Sequence, residues 1–129
     1  MIDLKLKQIQ HEVETWKRLL LYMQEENIHL KNRLSEVLKD RFDKKMLAVV
    51  EVFQNKFIAQ DDLINSLKKE VAAIEETLYN KIISFKIIAN SSEKNIAAIT
   101  NNLELAEKMF ADIKADFNHY LSANINGIV

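Results

Sequence analysis

Two short stretches set a carboxylate and an imidazole one helical turn apart: Glu26-x-x-His29 and Asp116-x-x-His119. Helix bundles that hold a carboxylate-bridged pair of metal ions use two such motifs, plus a Glu from each of two further helices. One turn of separation lets both side chains reach a single ion. Chemistry of that kind would make the chain a metal- or cofactor-binding helix-bundle protein, the alternative functional reading.

The residues around these motifs argue against it. Apolar side chains recur at alternating spacings of three and four, a 3.5-residue repeat with core positions a and d. The first stripe runs Leu6, Ile9, Val13, Trp16, Leu20, Met23, Asn27, Leu30, Leu34, Val37. With Asn27 at a, Glu26 falls at g and His29 at c. With Phe117 at a, Asp116 falls at g and His119 at c. Position c faces outward in a small bundle, whereas core metal ligands face inward. His11 falls at f, the most exposed position. The metal site also needs four helices, and one chain supplies three.

Other chemistries find even less. The chain has no cysteine, hence no thiolate nucleophile, thiolate metal site or disulfide. Its single glycine, Gly127, excludes a glycine-rich phosphate loop. The serines lack a recognisable His-and-acid context. The carboxylate pairs Glu25-Glu26, Asp61-Asp62 and Glu75-Glu76 are adjacent in sequence, so their members point to different helix faces and read as solvated surface. The expectation is no enzyme, no metal and no cofactor.

Charge narrows the partners. Eighteen basic and 19 acidic residues give a formal net charge of −1. No segment is strongly basic, and a nucleic-acid binder needs a cationic stripe. The densest pairs, Lys44-Lys45 and Lys68-Lys69, read as solvated helix faces. The longest apolar runs, "MLAVV" and "IISFKIIA", fall well short of the ~18 residues of a membrane span. The charged start resembles no signal peptide. The expectation is a soluble cytoplasmic protein without a transmembrane segment.

The elements behind these positions are helices. There is no proline, and one glycine in 129 residues leaves almost no helix breaker. A second stripe runs Val50, Phe53, Phe57, Gln60, Ile64, Leu67, Val71, Ile74, Leu78, Lys81, Phe85, Ile88. A third runs Ile96, Ile99, Leu103, Ala106, Phe110, Ile113, Phe117, Tyr120, Asn124. Apolar residues at g (Leu19, Val49, Leu63) and e (Leu38, Leu47, Ile82) widen the stripes beyond a two-stranded seam. A two-residue shift of register places a turn near Lys39–Lys44, with Asp43 as N-cap. The row Leu34, Leu38, Phe42, Met46 also allows one unbroken helix there. "ANSSEKN" is the most turn-like run, and a second turn is placed at 89–92. The spacing thus predicts one all-α domain over 1–129. Its helices at about 3–39, 43–89 and 92–125 form three long antiparallel rods in an elongated, coiled-coil-like, oligomeric bundle.

Folding these helices back has two consequences. Asn27, Gln60 and Asn124, one polar seam residue per helix, come to about the same height and form a register-specifying buried layer. The third helix ends opposite about residue 58, so the first two continue alone for roughly 23 Å. That tip carries Leu30, Leu34, Val37, Leu38, Phe42, Met46, Val49, Val50, Phe53 and Phe57, an apolar face too wide for two helices to hide. Self-association through it is expected, a dimer first, with another protein's helix or a lipid surface as the alternative. A parallel dimer of the first helix competes, because Glu12 (g) would meet the partner's Lys17 (e) and Glu26 the partner's Lys31. The functional expectation is a non-enzymatic assembly or adaptor protein.

Overall fold

The computed structural model describes residues 2–40, 44–79 and 85–124, with side chains described over 7–39, 44–76 and 97–124. Helix α1 spans Ile2–Asp40, and a 3-10 turn, Lys44–Met46, leads into α2, Leu47–Tyr79. Helix α3 spans Phe85–Asn124. The described residues contain no strand. At 1.5 Å per residue the three helices are about 50–60 Å long.

The apolar stripes explain the packing. On α1 the residues Ile9, Val13, Trp16, Leu20, Met23, Leu30 and Leu34 are all buried. They meet Val50, Phe53, Phe57, Ile64, Leu67 and Val71 of α2, and Ile99, Leu103, Ala106, Phe110, Phe117 and Leu121 of α3, in one continuous core. Half-buried Leu19 and Leu63, both at g, flank that core, which is why the stripes are wider than a two-stranded seam. On α3 the buried residue of the last turn is Leu121 rather than Asn124.

Neighbours run antiparallel. Lys17 of α1 pairs with Glu75 of α2, whereas Lys31 pairs with Asp61. Phe53 of α2 meets the Tyr120 ring, whereas Phe57 meets Phe117. Helices α1 and α3 are therefore parallel, and Lys114 of α3 reaches Glu26 of α1.

One boundary differs from the sequence reading. Residues 89–92, expected as the second turn, lie inside α3, which already runs from Phe85. Asn and Ser cost only tenths of a kcal/mol each relative to better helix formers. Three in a row do not end a helix that has no proline or glycine to stop it. The interval 80–84 holds Asn80, Ile82, Ile83 and Ser84, residues of equally low helix propensity. Helices α1 and α2 run antiparallel, as the register shift near 39–44 requires, so the unbroken-helix alternative falls away. Asp43, Phe42 and Gly127 lie outside the described residues, as do the side chains of Leu6, Leu78, Phe85, Ile88 and Ile96.

Starting α3 earlier brings its C-terminal end higher along α2. Tyr120 stands 5.7 Å from Phe53 between ring centroids. One more turn carries α3 opposite the first turn of α2. The long uncovered tip is thus a correction. Leu30, Leu34, Val50, Phe53 and Phe57 are buried within the chain's own core. Val37, Leu38 and Met46 are half-buried against it. Of the described residues in the expected patch, Val49 alone is exposed.

Candidate interaction site

Asn27 is completely buried, and Gln60 nearly so. The a position of α1 aims Asn27 at α2, where its Nδ2 donates twice. One bond goes to the Phe57 backbone carbonyl at 2.9 Å, and the other to Asp61 Oδ1 at 2.7 Å. The second Asp61 oxygen accepts from Lys31 Nζ at 2.6 Å. One carboxylate thus ties a core amide to a surface ammonium. Asn27 Oδ1 and both polar atoms of the Gln60 side chain are buried with no hydrogen-bond partner among the described residues. A buried polar atom left so costs roughly 1–3 kcal/mol.

Asn124 does not join them. It is exposed, and its Nδ2 donates to the Tyr120 carbonyl one turn back. The earlier start of α3 is the reason, because Phe117 now stands at the height of Phe57. Phe57, whose carbonyl Asn27 engages, belongs to an aromatic group. Phe53, Phe57 and Phe117 meet at centroid distances of 5.2 and 6.2 Å, and Phe57–Phe117 is edge-to-face at 88°. Lys56 Nζ sits 5.6 Å from the Phe53 ring centroid, a cation–π contact at the surface of the group.

Around this core run inter-helix polar pairs. Lys17 Nζ bonds Glu75 Oε2 at 2.9 Å, Lys68 Nζ donates to Gln24 Oε1, and Lys31 bonds Asp61. All six residues stand at e positions. On the other flank Lys114 Nζ of α3 (e) donates to Glu26 Oε2 of α1 (g) at 3.0 Å. That hydrogen bond is the main cause raising Lys114 above the ordinary lysine value of 10.5. Desolvation opposes it, and attraction to Glu26 and Tyr22 adds to it.

These contacts correct one expectation and bear on another. In each adjacent acidic pair one member bridges to another helix (Glu26, Asp61, Glu75), while Glu25, Asp62 and Glu76 are exposed. The bridging members stand at e or g and the exposed ones at f, so the heptad letters carried the signal. The parallel-dimer scheme assigned Lys17, Lys31 and Glu26 to a second copy, whereas all three pair within the chain.

The motifs that opened the question of chemistry lie apart from this core. His11, His29 and His119 are exposed, as is Asp116, and Glu26 is engaged with Lys114. Among the described residues no group of three or more His, Cys, Asp or Glu is arranged to hold a metal ion. No helix in the described residues is long and apolar enough to cross a membrane. No family model, curated protein or solved structure matches the chain.

Proposed function

We propose that the chain is a non-enzymatic assembly or adaptor module of the cytoplasm, acting through self-association and through contacts with helices of other proteins. The first two turns of α2 carry the proposal. Their sequence, "LAVVEVF", has large apolar residues over a broad arc of the helix, with Ala48 and exposed Glu51 on the remaining face. Val50 and Phe53 enter the core, while Leu47, Val49 and Val52 are 43%, 37% and 50% exposed. An apolar arc wider than a core-facing stripe leaves some of its side chains outside the core. Val37, Leu38 and Met46, near the same end of the hairpin, are only half-buried against the core, so the α1–α2 end presents aliphatic surface of the kind that marks contact sites. A second copy is the favoured occupant, because a two-fold axis sets the same aliphatic patch against itself.

Sedimentation equilibrium at micromolar concentration tests this. The wild-type chain is expected to dimerise, and Val52→Asp to shift it to monomer with helicity unchanged. A wild-type chain that stays monomeric through this range overturns self-association at this surface.

A further inference from the structure

The turn between α1 and α2 is not fixed by a glycine or a proline. No Gly or Pro lies between Lys39 and Leu47, and the only glycine of the chain is Gly127. Nor does the aliphatic core choose a register alone. Both stripes repeat every seven residues, so sliding one helix by a heptad sets core positions of the same kind, a facing d, against each other again. Some other feature selects the observed alignment.

The e positions supply it. Lys17, Gln24 and Lys31 are spaced by seven on α1. Glu75, Lys68 and Asp61 are spaced by seven on α2, in the opposite direction. They meet rung by rung: Lys17 with Glu75, Gln24 with Lys68, Lys31 with Asp61. A slip of one heptad in one direction sets Lys17 against Lys68, Gln24 against Asp61 and Lys31 against Gln54. The opposite slip sets Lys31 against Lys68 and Lys17 against Ile82. Both slips break two ion pairs and oppose two ammonium groups, and the middle Lys68 is the offending residue each time. Both also remove Asp61 from Asn27, stripping the buried Nδ2 of its charged acceptor.

We propose that this three-rung ladder, anchored in the core by the Asn27–Asp61 bond, is the register lock of the α1–α2 hairpin. It also decides which helix α1 takes as its partner. The lysines that would join two copies of α1 in parallel are held by α2 of the same chain. Exposed pairs of this kind add little stability, and the ladder's effect lies in the alignments it disfavours. Lys68 is the key discriminating residue, although its own contact is with a neutral glutamine.

The absence of native cysteine makes the test clean. Leu21 of α1 and Ala72 of α2 line one groove between the helices, and both are exposed. The double variant Leu21→Cys/Ala72→Cys reports the observed register. Leu21→Cys/Asn65→Cys reports a slip of one heptad, about 10.5 Å along the helix. Each pair is treated with a short bis-maleimide, in the wild-type background and with Lys68→Glu. The carboxylate introduced by Lys68→Glu would attract Lys17 or Lys31 in a slipped alignment and sit neutrally opposite Gln24 in the observed one. The expected result is 21–72 cross-linking alone in the wild-type background. Lys68→Glu should raise the 21–65 product severalfold. Lys68→Gln, which removes repulsion without adding attraction, should give an intermediate yield and carries the test if Lys68→Glu loses its helicity. An unchanged ratio of the two products in the variants overturns the proposal, as does abundant 21–65 product without any change at Lys68.

Discussion

Phe57 of α2 and Phe117 of α3 meet edge-to-face, 5.2 Å between centroids at 88°, and neither ring is exposed to solvent. This contact sets the height of α3 against α2. It puts the last turns of α3 over the part of the α1–α2 hairpin that would otherwise be bare. Phe117→Ala should therefore cost about 3–5 kcal/mol and loosen the end of α3. Urea unfolding followed by circular dichroism reads the loss as a lower midpoint, and a change below about 1 kcal/mol would mean that the ring is not a core residue.

Gln60, buried on α2 three residues after Phe57, has both side-chain polar atoms lacking a partner among the described residues. Replacing an unsatisfied buried polar group by an apolar one of similar size is neutral or favourable. Gln60→Leu should raise the melting temperature, by an amount equivalent to about 1–3 kcal/mol. Asn27→Leu should gain less, since it removes one orphaned acceptor together with two good bonds. A lower melting temperature for Gln60→Leu would show that its amide is satisfied in solution.

The contrast between these residues shows what the sequence could convey. Asn27 and Gln60 sit at a and d of unbroken heptads, and periodicity alone places both in the core. Asn124 also sits at a, yet it is exposed, because its height depends on where α3 begins. Helix propensities differ by tenths of a kcal/mol between "NKIIS" and "ANSSE", too little to locate the break. A boundary error of several residues then moved the whole of α3 along α2. It produced both the third member of the polar layer and the long bare tip. The cross-helix charges were legible in principle from their e and g letters. Choosing among their possible partners required the alignment that the turns create.

The Glu26–Lys114 pair gives α3 a pH signature. Lys114 titrates above its ordinary value of 10.5 in the folded chain, chiefly through its hydrogen bond to Glu26. Stability from a raised pKa is complete below the unfolded value and is lost as pH climbs through the folded one. The wild-type chain should lose more stability than Glu26→Gln as pH rises from about 10.5. The two curves should converge at the alkaline end, where the pair no longer exists. The Lys114 side chain is 38% exposed, so the difference should be small and should shrink with salt. Parallel curves throughout would mean that the pair does not form.

Two charge swaps separate the rungs of the ladder. Lys17 and Glu75 touch no buried amide in their contact with each other, and their side chains are 48% and 29% exposed. Lys17→Glu/Glu75→Lys should therefore recover most of the loss seen in either single reversal, which for such a pair is about 0.2–1 kcal/mol. Asp61 has a second duty, because its Oδ1 accepts from buried Asn27 while Oδ2 accepts from Lys31. An ammonium in its place cannot accept a hydrogen bond. Lys31→Glu/Asp61→Lys thus restores the surface pair but leaves Asn27 Nδ2 with only the Phe57 carbonyl. This double variant should remain about 1–3 kcal/mol below wild type, the cost of a buried donor losing its acceptor. Adding Asn27→Leu should recover most of that deficit. Equal recovery in the two swaps would show that the Asn27–Asp61 bond carries no weight, and the core anchor of the ladder would have to be abandoned.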